Sequence, residues 1–326
     1  MKKAVQNRIW VVCPVYFDVE NFNIFRERVE NALGASGVPS LICWVVVDDT
    51  GGADPAMASL SRSGDTRVVT PPFNLGHQRA LVHGLRQIAD SVEEDDFIVT
   101  ADSDGEDKPE DLPRLLRKLR ENADDKRRLV LARRTKRRES ALFRLCYFFY
   151  KIFFRALTGT VIKSGNFAAF RGWFVMNALF HPTFELSYSS SLVWIPLPKD
   201  YVPCARGQRY SGSSKMGYFK LLLHGVRLVM PFLDRVALRA ILASGFAFTL
   251  SALLGLLVLF VKLATDLAIP GWTSTILFLS AISSLVAMGN FTVLFAVFYQ
   301  SQAGALQGLD GRTHAESTRR TFKNAA

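Results

Sequence analysis

Short apolar runs rich in β-branched residues alternate with segments of helical spacing through the first half of the chain. The runs IWVVCPVY, LICWVVVDD, TRVVTPP, DFIVTADSD and RLVLARR are bounded by turn chemistry and read as β-strands. Between them, Asn21 to Leu33, His77 to Ala89 and Pro109 to Arg120 carry apolar residues at helical spacing, the last with a proline suited to a first helical turn. This alternation predicts an α/β fold with a mainly parallel sheet covered by helices on both faces. In such sheets ligands bind beyond the carboxyl ends of the strands, and CPVYFD, VDDTGG, PPFNLG and ADSDGED all fall there. Four polar clusters are therefore expected to line one crevice.

The pattern changes after Arg239. Ala240 to Val261 contains no charged residue, and Thr273 to Phe298 is equally free of charge. Each has the roughly 20 apolar residues that a helix needs to cross a bilayer. The alternative is a pair of buried helices in a soluble core, but such cores rarely offer two uncharged runs back to back. The connector KLATDLAIPGW holds one lysine and one aspartate, whereas Arg235 and Arg239 precede the first span and Arg312, Arg319, Arg320 and Lys323 follow the second. That asymmetry places the connector outside and both termini in the cytoplasm of an integral membrane protein, with the bacterial inner membrane the expected location. The N-terminal MKKAVQNRIWVVCPVY reads as a first strand and not as a signal peptide, because its apolar run is short and ends at a proline turn. The expected organisation is a cytosolic domain over 1–219 with an interface helix near 140–158. A juxtamembrane amphipathic helix over 220–239, a two-helix hairpin over 240–299 and a cytosolic tail over 300–326 complete it.

Charge refines this picture. The chain of 326 residues has a formal net charge of +11. KRRLVLARRTKRR, Lys126 to Arg138, holds eight Lys or Arg in thirteen positions. A basic loop on a membrane-attached domain meets anionic headgroups, and nucleic acid is not expected as a partner. In SALFRLCYFFYKIFFRALTG, aromatic clusters are punctuated by Arg144, Lys151 and Arg155, as in an amphipathic helix lying in the interface. MGYFKLLLHGVRLVMPF repeats the theme. Together these helices are expected to bring a lipid-borne phosphate to the crevice. Cys13, Cys43, Cys146 and Cys204 lie far apart without a CxxC pair, which fits reduced, packed thiols of a cytosol-facing protein.

Against the net positive charge, TADSDGEDKPEDL packs six acidic residues into thirteen positions at a strand end. It is not an EF-hand, which needs a glutamate at its twelfth position where Pro113 stands, and no GxxxxGK[ST] phosphate loop is present. Asp102-x-Asp104 remains: two carboxylates on a turning backbone that can face a hard cation retaining waters and substrate phosphates. By itself such a pair serves equally as a helix cap or a solvated turn.

The order of motifs carries more. Pro14-Val15-Tyr16, Asp48-Asp49-Thr50, Asn74-Leu75-Gly76 leading into Ala80-Leu81-x-x-Gly84-Leu85, and then Asp102-x-Asp104, resembles the family 2 glycosyltransferases with a GT-A fold. RGQRYSGSSKM, Arg206 to Met216, followed by two apolar spans, looks like the polyprenyl-phosphate glycosyltransferase branch. The resemblance implies that Asp48 and Asp49 hold the nucleotide base and ribose, with Pro14, Tyr16, Asp18, Glu20, Asn74, Arg133 and Ser214 also in the binding set. It implies that Asp102 and Asp104 hold Mg2+ or Mn2+ and the donor diphosphate, Asp104 as principal ligand. Glu106 stands where the family usually has Gln and still offers oxygen. Arg206, Arg209 and Lys215 correspond to residues near the diphosphate or the acceptor phosphate, where an arginine fork suits phosphate oxygens and lysine supplies a point charge. Arg133 or its neighbour Arg134 matches an acceptor-phosphate arginine.

Three departures stand out. Phe17 replaces the family's Asn, and His77 replaces a frequent Lys, reading either as a phosphate contact or as a surface histidine at a helix start. The family's GDFRL becomes Gly165-Asn166-Phe167-Ala168-Ala169, which removes the aspartate often proposed as catalytic base. Asn cannot take a proton. A sugar hydroxyl needs a base as it attacks, whereas a phosphomonoester, with a second pKa near 6, is already an anionic nucleophile at pH 7. The expected activity is inverting transfer of a sugar from a UDP- or GDP-linked donor to polyprenyl phosphate, with undecaprenyl phosphate the expected lipid and Asn166 positioning the acceptor. The competing readings are transfer to a lipid or glycan hydroxyl, and a membrane-tethered nucleotide-sugar scaffold without catalysis. Homo-oligomerisation is left open.

Overall fold

The computed structural model of the chain describes residues 8–37, 41–61, 64–135, 141–211, 218–265 and 271–323. They fall into two compact units, one within residues 1–148 and 161–231, the other within 149–160 and 232–326. In chain order the elements are β1 (Ile9–Val15), α1 (Val19–Ala35), β2 (Ile42–Asp48), α2 (Met57–Leu60), β3 (Thr66–Val69), α3 (His77–Gln87) and β4 (Phe97–Thr100). A 3-10 turn at Pro109–Asp111 then runs into α4 (Leu112–Arg120), followed by β5 (Leu129–Arg134), α5 (Ala141–Thr158) and β6 (Ser164–Arg171). After these come α6 (Gly172–Asn177), α7 (Thr183–Leu186), α8 (Tyr188–Trp194), β7 (Lys199–Cys204) and α9 (Tyr218–Val229). A second 3-10 turn, Met230–Phe232, precedes α10 (Leu233–Ala264) and α11 (Trp272–Lys323).

The first unit is an α/β domain, as the alternation predicts. Its seven strands form one sheet in the order β3-β2-β1-β4-β6-β5-β7. β6 runs antiparallel to β4 and β5, and the remaining pairs are parallel. The strands read as nearly continuous apolar runs because both faces are covered. On one face Val11, Val46 and Val99 pack with Phe22 and Phe25 of α1 and Leu115 and Leu116 of α4. On the other, Val12, Val45 and Ile98 meet Leu81 and Leu85 of α3, Phe174 of α6 and Leu192 of α8. Helix α3 approaches the sheet closely at Gly84, where an added Cβ would collide with Val47 Cγ2 and lie 3.2 Å from Val12 Cγ1. That contact fixes the height of the α3 N-terminus, which carries His77 and Gln78.

Five strands and three helices sit where the hydrophobic pattern puts them, within a few residues. β6 and β7 lie outside the strands that the pattern predicts. In β6 the run SGNFAAFR is broken by Gly165 and Asn166, and β7 carries Pro203, which is tolerated because β7 is an edge strand.

In the second unit, Arg235 Nη1 donates to Thr160 Oγ1 at 3.0 Å and Arg239 Nη1 to Arg155 O at 3.2 Å. Phe154 and Phe232 meet edge to face at 5.8 Å. Helices α10 and α11 pack along each other, with a hydrogen bond of 2.9 Å between the hydroxyls of Ser251 and Ser283. The helical runs Gly225–Ala264 and Trp272–Val297 are long and apolar enough to cross a membrane, and only 6% of each apolar window is buried. Helix α11 does not stop at the end of the uncharged run but continues to Lys323; no proline follows Phe298 to end it.

Candidate active site

The chain reverses direction of growth at the middle of the sheet. From β1 it adds β2 and β3 on one side, then crosses to β4 on the other. β1 pairs with β4 only as far as Val12–Thr100 but with β2 as far as Val15–Asp48. A crevice opens where such a switch occurs, beyond the carboxyl ends of the strands. Pro14 lies in this part of β1, past the pairing with β4, where a missing N–H is tolerated.

Beyond β1, Tyr16 and Phe17 are exposed and meet edge to face at 5.0 Å. Phe17 has φ 49°, in the left-handed region. Asparagine, which the sequence resemblance expects there, tolerates that region far better than a bulky aromatic does. Asp18 precedes α1 and its Oδ1 accepts from Asn21 Nδ2 at 2.7 Å, while Glu20 lies exposed in the first turn. At the end of β2, Asp48 Oδ1 accepts from the Thr50 backbone N–H at 3.1 Å and from the Thr50 hydroxyl at 2.5 Å. Asp49 Oδ1 accepts from the Leu75 backbone N–H at 2.7 Å, and Asn74 Nδ2 donates to Asp49 O at 2.8 Å. Asp49 and Asn74 thus tie the end of β2 to the segment entering α3. Burial raises the Asp49 carboxyl above the usual range, against the pull of the Leu75 and Gly76 N–H groups.

The acidic loop after β4 is the densest part of the site. Asp104 and Asp107 are buried, and Asp102 and Glu106 are largely so. Asp102 Oδ1 takes His77 Nε2 at 2.7 Å and Asn166 Nδ2 at 3.4 Å. Asp104 Oδ1 accepts the Glu106 N–H at 2.9 Å, and Asp104 Oδ2 lies 2.6 Å from Arg209 Nη2. Glu106 pairs with Arg206 Nη2 at 2.5 Å and with Arg209 Nε at 3.5 Å. Behind them Asp107 accepts the Asp102 N–H at 3.0 Å and faces Arg134 Nη2 at 3.5 Å. Residues 206–210 lie along this loop: Gly207 N–H donates to Glu106 O at 2.8 Å and Tyr210 N–H to Asp104 O at 2.9 Å. Gly105, at φ 97°, makes that close approach: a Cβ there would sit 2.7 Å from Gln208 O.

These carboxylates are faced by Arg134, Arg206, Arg209 and His77. Burial and the charge of Asp102 push Asp104 up, and the same two causes push Asp107 to about 7. Asp102 goes the other way: burial opposes it, but the His77 imidazole beside it holds its carboxyl well below the usual range. His77 is correspondingly raised, since Asp102 outweighs the effect of burial.

Of the residues singled out from sequence, Asp102, Asp104, Glu106, Asn166, Arg206 and Arg209 come together around this loop. Asp48, Asp49 and Asn74 sit at the neighbouring β2 end, and Pro14, Tyr16, Asp18 and Glu20 at the β1 end. Ser214 and Lys215 lie outside the described residues. Arg133 is exposed, and Arg134, which follows it, is the arginine that reaches Asp107. His77 starts α3, yet its ring is committed to Asp102, a pairing that no sequence motif announces. The sequence pattern likewise marks neither Gln78 nor Asp107, although Asp107 lies within the acidic stretch after β4.

Among the described residues no three Asp, Glu, His or Cys side chains converge as a ready cage for an ion. The donor chemistry nevertheless fits a hard cation such as Mg2+, which is held by one or two carboxylates and completes its shell with waters and substrate phosphates.

The chain is similar to known glycosyltransferases. The chain is 28% identical over 240 residues to the bactoprenol glucosyl transferase of Shigella phage SfX, covering 70% of this chain and 74% of that one. It is 28% identical over 236 residues to the uncharacterized glycosyltransferase YkcC of Bacillus subtilis (strain 168), covering 69% and 68%. Among solved structures, mannosyl-3-phosphoglycerate synthase from Rubrobacter xylanophilus aligns with a TM-score of 0.46 at 14% identity, over 71% of this chain and 74% of that one. The family model for glycosyl transferase family 2 matches residues 11–174, from β1 through the acidic loop and Asn166 into α6. With half of its length matched, and with the strand-end motifs inside the match, the chain belongs to glycosyl transferase family 2 and is a glycosyltransferase.

Proposed function

We propose that the protein transfers a sugar, with inversion, from a nucleotide-diphosphate donor to polyprenyl phosphate at the cytoplasmic face of a membrane. The observation that carries the acceptor is the state of Asn166. Its side chain is an amide, held between Gln78 and Asp102, at the place where the family resemblance expects a carboxylate base. An amide cannot accept the proton of an attacking hydroxyl, but a phosphomonoester brings an oxygen that is already ionised. The bactoprenol glucosyl transferase relative and the two apolar helices support the same acceptor class. His77 offers a hydroxyl acceptor no free ring nitrogen at Nε2, which is engaged by Asp102.

In this reading Asp48 and Asp49 bind the nucleoside, and the acidic loop receives the diphosphate. Mg2+ or Mn2+, held by Asp102 and Asp104, would supply positive charge against the departing diphosphate. Arg206 and Arg209 do the same from the protein. A diphosphate offers these arginines the forked oxygen partners that Glu106 and Asp104 provide in this structure. Lys215 adds a further positive charge, and Arg134, beside Asp107 and Gly165, stands ready for the acceptor phosphate. The lipid phosphate then attacks the anomeric carbon from the face opposite the leaving group.

Two measurements test this. Membranes containing the protein should convert one member of a UDP- and GDP-sugar panel to organic-extractable product with added undecaprenyl phosphate and not with undecaprenol. That turnover should fall below about pH 6, as the acceptor phosphate takes up its second proton. Absence of any pH effect there, or equal use of undecaprenol, would speak for a hydroxyl acceptor. For orientation, a cysteine introduced near Asp266 should react with impermeant reagents from outside the cell, and one near Thr318 should not. Labelling of both positions from outside would contradict the hairpin.

A further inference from the structure

The side chains around Asn166 form a hydrogen-bonded chain whose direction is set by its two ends. At one end the Ser189 backbone N–H can only donate, and it donates to Gln78 Oε1 at 2.9 Å. Gln78 then presents Nε2 on its other side and donates to Asn166 Oδ1. At the far end the ionised Asp102 can only accept, and its Oδ1 takes both Asn166 Nδ2 at 3.4 Å and His77 Nε2 at 2.7 Å. Each amide therefore has a single orientation; turning either one over would set donor against donor or oxygen against carboxylate. The backbone at this point is fixed as well. The buried Thr100 hydroxyl donates to Asn166 O at 2.6 Å and lies 2.9 Å from the hydroxyl of the buried Tyr188.

We propose that Gln78 is a positioning residue for the transfer reaction: it locks the Asn166 amide so that Asn166 and His77 together fix the rotamer of Asp102. This rests on reading Asp102 as a carboxylate that serves the donor and its metal. Gln78 acts from the first turn of α3, and its far amide oxygen is anchored on α8, so two helices that flank the crevice are joined through the same side chain. The arrangement also accounts for the residue at 166. An aspartate there would still accept from Gln78, but its second oxygen would face Asp102 with no proton to donate. Gln78 and Asn166 are a matched pair, and the amide at 166 replaces a base with a donor.

Gln78→Glu isolates this role, because it keeps the oxygen that Ser189 N–H needs and the side-chain length while removing the donor that orients Asn166. Asn166 should then turn its NH2 toward the carboxylate introduced on α3 and its oxygen toward Asp102. With the full-length protein in detergent and with UDP or GDP present, Mn2+ affinity measured by electron paramagnetic resonance should weaken about tenfold in Gln78→Glu, as for partners that orient a metal's ligands. An affinity equal to wild type would overturn the proposal. A second measurement needs no metal. Thermal midpoints in EDTA for wild type, Gln78→Ala, Asn166→Ala and the double variant should show Gln78→Ala costing less in the Asn166→Ala background than alone. Strictly additive midpoints would overturn the coupling. If the wild type itself bound no Mn2+, the assignment of a metal to Asp102 and Asp104 would fall, and the midpoint cycle would decide the positioning role alone.

Discussion

Asp104→Ala is expected to lower turnover by about 10²–10³-fold, the scale on which loss of one group facing a developing charge is felt, while leaving the fold intact. Asp104 lies on the loop after β4, so its side chain supports no strand pairing, yet it is the partner of Arg209 at 2.6 Å. Its removal would take away the oxygen that the proposed reading assigns to the cation and leave the Arg209 guanidinium with Glu106 alone. Excess chelator should reproduce the loss in the wild type. Circular dichroism would check the fold and initial rates the activity. Full activity in chelator would remove the metal from the mechanism and leave the acidic loop as a seat for the arginines alone.

Arg209→Ala and Lys215→Ala are expected to reduce turnover by about 10²-fold or more, since in the proposed function each withdraws positive charge from a site that handles several phosphates. The informative comparison is Asn166→Asp, which introduces the carboxylate that the family resemblance expects at this position. It should give no gain and is expected to slow the reaction. The new oxygen would replace Asn166 Nδ2, which lies 3.4 Å from Asp102 Oδ1, and would add negative charge where the proposed function brings the acceptor phosphate. Rates for the three variants under identical donor and acceptor concentrations make the test. A large acceleration in Asn166→Asp, with Lys215→Ala near normal, would show that a base is required.

Much of this site is legible in the sequence because parallel α/β sheets deliver their strand ends to one crevice, and the strands announce themselves as uninterrupted apolar runs. Asp48, Asp102 and Asp104 can be placed by that rule alone. What escapes is long-range. Nothing local marks His77 as the partner of Asp102, since the two are brought together by the packing of α3 on the sheet at Gly84. β6 escapes because Gly165 and Asn166 interrupt its apolar pattern, and with it goes the route by which Gln78 reaches Asn166. Arg133 and Arg134 are indistinguishable in sequence; the strand's alternation turns the second of them toward Asp107. Phe17 is the opposite case. The substitution is plain in the sequence, but its left-handed backbone, where asparagine would sit with less strain, is read only from the fold.

Direct attack by a lipid phosphate on the anomeric carbon leaves its signature in the mass of the product. Purified protein would be supplied with undecaprenyl phosphate, a divalent cation and the nucleotide sugar that supports turnover, and the lipid fraction analysed by mass spectrometry. The expected product is a lipid heavier than the acceptor by one anhydrosugar unit, carrying a single phosphorus, with nucleoside diphosphate released in equal amount. A lipid with two phosphorus atoms, a sugar attached to a hydroxyl acceptor, or nucleotide binding with no lipid product would contradict direct attack.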